Sequence, residues 1–351
     1  MRRKNPTSQR LSIVDIAKRA KVSPSTVSRV FNNPELVQPS TRDAVLKVAH
    51  ELGYRPNASA RTLRTQRSQV LGIVLPTLDN PVFAECLQGI IGATVKHGYA
   101  IMPVTSQYEV AAEIEAVEQL LAFGVDGVVL AVSDAATSQA LRRLQAHALP
   151  YVLIYNRHGE HPCVSVDGAR AMHEIVQKLA AHGHQRIAMI CGQLSTSDRA
   201  QQRYNGFLDA MASAGLPPAP LIEIPFVDTA IQDISAVLRR PDRPTALVCS
   251  NDLIAIRAVR AAHESGLRIP DDVSVTGFDG IGLGEDLTPR LTTVLQPNAY
   301  MGITAAEWVM SGIQNEQMPH PDDSVTLAYE VRWSESCSYA PSLPGLTALR
   351  V

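Results

Sequence analysis

From Val70 onward the chain alternates between short apolar runs and segments of helix length. The apolar runs are VLGIVLP (70–76), YAIMPVT (99–105), GVVLAV (127–132), YVLIYN (151–156), RIAMICG (186–192), LIEIPF (221–226), ALVCSN (246–251) and VSVTGFD (273–279). Helix-length stretches separate most of them: 81–97, 109–122, 134–147, 168–182, 199–214, 228–240 and 252–266. Runs this apolar need cover on both faces, as in parallel sheets wrapped by crossover helices. The eight runs exceed one open sheet. The reading is therefore an α/β body of two doubly wound parallel-sheet subdomains with a cleft between them. One more strand-like run, LTTVLQP (291–297), leads into a helix at 298–313 that can return to the first sheet.

The first fifty residues follow another pattern. Ser12 stands at an N-cap with Asp15 three residues on, and Ile13, Ile16, Ala17 and Ala20 then recur at helical spacing. Lys21-Val22 breaks that face. Ser23 caps a second helix that opens on Pro24, where a missing N–H does no harm, and Val27 and Val30 point inward from it. Ser25, Thr26, Ser28 and Arg29 leave a polar face at the start of this helix, the part that enters the major groove in helix-turn-helix proteins. A third helix carries Ala44, Val45, Val48, Ala49 and Leu52 as its buried stripe and ends at Gly53. The segment 55–69, RPNASARTLRTQRSQ, is a basic connector with the composition of a short helix at its centre. About seven residues is too short to hold a helix alone in water, so this one orders only when something docks it.

Charge separates the same two regions. The first 69 residues carry 14 basic and 4 acidic residues, a net of +10, and the remainder 18 basic and 30 acidic, a net of −12. A basic module of that density gains affinity for duplex DNA by releasing counterions from phosphates, while the acidic body is repelled. The basic start leads into an amphipathic helix rather than an apolar leader, and no run approaches the length of a membrane span. The five cysteines (Cys86, Cys163, Cys191, Cys249 and Cys337) are scattered, with no CxxC pair, which reads as buried thiols in a reducing cytoplasm.

Ligands of open parallel sheets bind at the carboxyl ends of the strands. Those ends are Pro76 to Phe83, Tyr155 to Arg157, Gln193 to Arg203, Phe226, Asn251 with Asp252, and Asp279. The mixture of aromatic, amide, carboxylate and guanidinium groups suits a small polyhydroxylated molecule. If two of Arg157, Arg199 and Arg203 converge, the ligand carries a carboxylate or phosphate. Each could instead be a surface arginine paired with a helix carboxylate. His158, His161 and Cys163 lack an evident fourth metal ligand, GIGLG (280–284) lacks dinucleotide-loop spacing, and no nucleophile elbow is present. Neither a catalytic group, a metal nor a cofactor is expected. Two rivals stand beside these expectations: a transporter's solute-binding protein, which shares the body architecture but needs a signal peptide and no basic helix-turn-helix, and a sugar-acid enzyme, which needs a general base or metal at the cleft.

In order along the chain, VDIAKRAKVSPSTVSRVFN, ELGYRPNASARTLR, VLGIVLPTLDNPVF and VSVTGFDG resemble the LacI/GalR family of bacterial transcription regulators, from about Leu11 to about Arg332. The resemblance implies a cytoplasmic, nucleoid-associated homodimer on a pseudo-palindromic operator, with each second helix in a major groove and the connector helices in the central minor groove. It places Pro24 and Ser25 where bases are read and Arg29 where a guanine is often contacted, in keeping with the bidentate chemistry of that pair. Ser23, Thr26, Ser28, Asn32 and Thr41 match positions that touch phosphate or sugar. Leu63 matches the leucine that wedges into the central base step, with Asn57, Arg61 and Arg64 as further DNA-facing positions of the connector.

For the body, the resemblance implies a periplasmic-binding-protein-like effector module. Its effector positions match Asp79, Asn80, Phe83, Tyr155, Arg157, Arg199, Arg203, Phe226, Asn251 and Asp279. Tyr155 stands where several sugar-binding members carry an acid, which favours an anionic sugar. LPTLDNPVFAE and GFDGIGLGEDLTPRLTTVLQP are similar to the gluconate- and ketogluconate-type members, so gluconate or a keto-gluconate is the expected effector and weakened operator binding the expected response. The domains expected are 1–56 for DNA, 57–69 as hinge helix, and 70–335 for effector binding and dimerisation. The last divides into 70–166 with 298–335, and 167–297. Residues 336–351 are expected to be a tail, broken by Pro341, Pro344 and Gly345 and without the heptads that tether a tetramer.

Overall fold

The computed structural model describes residues 11–54, 67–217, 221–226 and 230–341. The chain forms two compact units, Met1–Ser68 and Gln69–Val351. In the first, α1 (Ile13–Ala20), α2 (Pro24–Asn32) and α3 (Pro39–Glu51) enclose one small core. Ser12 and Asp15 close a reciprocal capping box, with Ser12 N donating to Asp15 Oδ2 at 2.9 Å. Ile16, Ala17, Val27, Val30, Val45 and Ala49 are buried together, with Phe31 and Tyr54 packed ring against ring at 5.6 Å. Ala44, expected in the buried stripe of α3, is exposed: it lies outside the arc that Val45, Val48 and Ala49 present to the core.

The second unit holds two parallel sheets. The first has the order β11-β5-β4-β3-β1-β2 and contains β1 (Val70–Leu75), β2 (Ala100–Thr105), β3 (Gly127–Leu130), β4 (Tyr151–Ile154), β5 (Cys163–Val166) and β11 (Val325–Leu327). The second, ordered β7-β6-β8-β9, contains β6 (Ile187–Cys191), β7 (Ile222–Glu223), β8 (Ala246–Cys249) and β9 (Ser274–Thr276). Period-two alternation fills both sides of the first sheet. Leu71, Ile73 and Leu75 face α4 (Pro81–Lys96) and α11 (Asn298–Asn315), whereas Val74 faces α5 (Val110–Phe123) and α6 (Gln139–Ala146). Gly89 of α4 lies against the backbone of Ala299, and Gly302 of α11 against that of Cys86, approaches that any Cβ would prevent. In the second lobe, α7 (Gly168–Ala181) and α8 (Asp198–Ser213) cover one face of the sheet, and α9 (Ile231–Leu238) and α10 (Asp252–Glu264) the other.

The run at 291–297 yields only β10 (Thr293–Leu295), which pairs antiparallel with β12 (Glu330–Arg332) while the same segment bridges to Thr276 and Asp279 of the second lobe. The chain therefore passes between the lobes three times: after β5, between β10 and α11, and between β11 and β12. This changes two expected boundaries. Residues from Glu330 on belong to the second lobe, not to the first with 298–335. Nor does a tail begin at 336: Ser336 and Cys337 are buried, Val275 N donates to Ser336 O at 2.9 Å, and Ala340 N donates to His182 O at 2.9 Å. All five cysteines are free and buried. Among the described residues no helix is long and apolar enough to cross a membrane.

Candidate functional site

On the first unit, Ser23 accepts from Thr26 N at 3.1 Å, so the cap fixes where α2 begins. Its hydroxyl also meets Ser25 Oγ at 2.7 Å and Thr26 Oγ1 at 2.9 Å, a short chain of hydroxyls at the helix N-terminus. Pro24, Ser25 and Arg29 are exposed; Thr26, Ser28 and Thr41 are half-buried. No ion pair or hydrogen bond holds the Arg29 guanidinium among the described residues. Asn32 ends α2. Asn57, Arg61, Leu63 and Arg64 lie outside the described residues.

In the second unit, the carboxyl ends of both sheets converge on one cleft. Asn80, Phe83, Tyr108 and Tyr155 line it from the first lobe; Arg199, Arg203, Phe226, Ser250, Asn251 and Asp279 line it from the second. Two of these side chains owe their placement to helix capping: Asn80 accepts from Val82 N at 3.3 Å and Asn251 from Ile254 N at 2.8 Å. Tyr108, Tyr155 and Asp279 hold positive φ of 62°, 65° and 112°, so three non-glycine residues of the site are locally strained.

Arg203 is the centre of the polar set. Its guanidinium lies 3.6 Å from the Phe278 ring centroid, donates to Ser250 O at 2.5 Å and stands 3.4 Å from Asp279 Oδ1. Gln296 Nε2 donates to the same Asp279 oxygen at 2.8 Å. Burial pushes the Asp279 carboxyl up to about 6, partly opposed by Arg203 and by hydrogen bonds from Asn80 and Gln296. Behind it, fully buried Asp252 accepts from Thr293 Oγ1 at 2.5 Å and from Ile281 N at 2.9 Å, and burial with the nearby Asp279 lifts it to about 8. The Tyr155 hydroxyl donates to Val82 O at 2.9 Å, which commits it to the protein and leaves its ring to the cleft. Ser250 Oγ is buried with no hydrogen-bond partner among the described residues.

Two sets of contacts close the lobes on each other. Asn156 Nδ2 donates to both Asp198 oxygens at 2.8 and 2.9 Å, Asp198 N donates to Ser133 O at 2.7 Å, and Arg199 donates to Val132 O at 2.6 Å. Tyr108 stacks on Phe226, which itself rests against the bare backbone of Gly192. The free volume left in the cleft is about 30 Å³. That is far below the roughly 300–1,000 Å³ of small-molecule pockets, so a sugar enters only if these contacts part.

Eight of the ten expected effector residues meet in the cleft. Arg157 does not: its guanidinium pairs with Asp167, the cap of α7, at 2.8 Å and is half-exposed, the surface pairing weighed as the alternative. Asp79 is also outside, exposed in the turn before α4, where its backbone N–H donates to Thr77 Oγ1 at 3.0 Å. Tyr108 and Ser250 are cleft residues that sequence reasoning missed, and Ser197 lies within the strand-end range 193–203 without being singled out there. Tyr108 was findable, since it follows the strand YAIMPVT and the strand-end rule applied there selects it.

Residues 12–57 match the model described as bacterial regulatory proteins, lacI family, and residues 68–329 match that of periplasmic binding proteins and the sugar binding domain of the LacI family. The chain belongs to the LacI family. It is a DNA-binding transcriptional regulator with a sugar-binding-type domain. Catabolite control protein A of Priestia megaterium is 30% identical over 88% of this chain and 97% of its own. The HTH-type transcriptional regulator GntR of Escherichia coli is 31% identical over 91% of this chain and 95% of its own. Among solved structures, the lac repressor dimer bound to operator and the anti-inducer ONPF superposes with a TM-score of 0.83 at 26% identity, covering 94% of this chain and all of that one.

Proposed function

We propose that this LacI-family regulator acts as a homodimeric repressor on a pseudo-palindromic operator and releases it when a sugar acid of monosaccharide size, gluconate or a keto-gluconate, enters the cleft. One observation carries the ligand class: two arginines, Arg199 and Arg203, line the cleft against a single lining carboxylate, Asp279. Arg203 stands 3.4 Å from Asp279 and Arg199 3.7 Å from Asp198, and a ligand carboxylate adds a bidentate partner that a neutral hexose does not offer. Asn80, Asn251 and Ser250 supply donors and acceptors for hydroxyls, and Phe83, Tyr108 and Phe226 cover C–H faces.

For DNA, the reading rests on the exposed Pro24, Ser25 and Arg29 in α2, with Ser23, Thr26, Ser28, Asn32 and Thr41 assigned to phosphate and sugar by the family resemblance. Asn57, Arg61, Leu63 and Arg64 complete it from the connector. Coupling follows from the closed cleft. A ligand that binds one lobe separation better than another shifts that separation, and operator affinity must shift with it.

Calorimetric titration of the full chain with gluconate, 2-ketogluconate and glucose tests the ligand class. The acids should bind and glucose should bind at least about tenfold more weakly, a difference of about 1.4 kcal/mol. Equal affinity for glucose sinks the anionic reading. A gel-shift with a palindrome recovered from randomised DNA should then show release by the acid that binds.

A further inference from the structure

The second lobe has another cavity, at the opposite end of its sheet. The segment RRPDRP (239–244) follows α9, and its Arg240 and Arg243, together with Arg186, which immediately precedes β6, line a space of about 270 Å³. Five residues of β6, about 16 Å at strand rise, separate Arg186 from Gly192, on which Phe226 of the cleft rests. The two spaces are distinct.

The charge in this cavity is not balanced. Arg240 forks onto Asp242 through two contacts of 3.0 Å. Arg186 and Arg243 hydrogen-bond only to backbone carbonyls: Arg186 Nε donates to Arg243 O at 2.9 Å, and Arg243 donates to Asp272 O at 2.7 Å, while the carboxylates of Asp242 and Asp272 act on them only at longer range. Among the described residues no carboxylate lies within ion-pair distance of either guanidinium. Ile222 and Val237 give the walls an apolar character. Two like charges held at one apolar cavity repel, and an anion placed between them removes that repulsion.

We infer that this cavity is a second ligand site. It takes a small organic anion whose carboxylate or phosphate sits between Arg186 and Arg243 and whose apolar body lies on Ile222 and Val237. The volume sits just below the usual range for small-molecule pockets, roughly 300–1,000 Å³, which sets the ligand at about one ring in size. The site is independent of the sugar-acid reading of the cleft.

Calorimetry on the full chain with benzoate, phenyl phosphate and benzyl alcohol as probes tests the site. At least one anion should bind, and the neutral alcohol should bind at least about tenfold more weakly. Whichever anion is tighter identifies the head group. Arg186→Gln and, separately, Val237→Trp should each weaken that anion about tenfold while leaving gluconate titrations unchanged. The second variant fills the cavity without touching the arginines, so a loss of fold in the first does not remove the test. Absence of binding up to about 20 mM, a loss confined to neither variant, or competition by gluconate overturns the inference.

Discussion

The ring of Tyr108 lies flat on that of Phe226, 4.5 Å between centroids and 9° between planes, with the two residues rooted in different lobes. Tyr108 comes from the loop after β2 and Phe226 from the segment after β7, so this stack exists only while the cleft is shut. Such a pair contributes about 0.5–1.5 kcal/mol beyond its area, which is about a two- to tenfold bias toward closure. Tyr108→Ala should therefore raise the observed association rate of gluconate by about that factor in stopped-flow mixing. An unchanged rate means that closure does not gate entry.

Arg199 and Arg203 should differ when removed. Arg199→Gln loses a charge-assisted bond to the ligand, and gluconate affinity should fall about ten- to a hundredfold with selectivity over glucose largely lost. Arg203→Gln leaves Asp279 buried beside a neutral amide, so it should also lower the melting temperature at pH 8, where that carboxylate would otherwise be paired. Calorimetric titration and thermal melts of the two variants separate these effects.

Stability should fall with alkali. Asp279, at about 6, and Asp252, at about 8, both lie above the ordinary 3.8, so the folded chain holds these protons more tightly than the unfolded one. Their favourable contribution is complete below the ordinary carboxylate value and disappears as pH rises through each folded value. Asp252→Asn keeps one acceptor oxygen where the carboxylate offers two, one to Thr293 and one to Ile281, and carries no proton to lose. Its melting temperature relative to the parent should rise between about pH 4 and about pH 8 and change little outside that window. Parallel curves would show that Asp252 does not titrate there.

At the DNA surface, Arg29→Gln should weaken binding to the selected palindrome by about 1–3 kcal/mol and relax preference at one base position per half-site, measured by fluorescence anisotropy. Ser23→Ala removes the cap that fixes the start of α2 and should destabilise the first unit by about 1 kcal/mol in thermal melts. Uniform weakening on all sequences by Arg29→Gln would assign that arginine to phosphate instead.

Much of this arrangement is legible in the sequence because it is local. The Ser12–Asp15 capping box, Pro24 at the first turn of α2 and the period-two burial of Leu71, Ile73 and Leu75 all follow from spacing alone. Strand ends named most of the cleft. What stayed hidden depends on partners far along the chain. β10 and β12 are three residues each and pair across 35 positions, too short and too distant for any periodicity to register. Arg157 and Arg199 look alike as strand-end arginines, and only the position of Asp167 separates a surface pair from a cleft residue. Ser336 and Cys337 sit in a polar, proline-broken stretch whose burial comes from β9 and its neighbours.

Because the backbone threads between the two sheets three times, neither half of this body is an uninterrupted stretch of sequence. A single break anywhere between Val70 and Ala340 leaves fragments that each own strands of both sheets or lack neighbours they need, so the halves cannot be produced apart by simple truncation. Two plates tied by three parallel threads can scissor and twist but cannot slide past one another. The range of motion open to any ligand is thus set by the path of the chain before a single contact in the cleft is made.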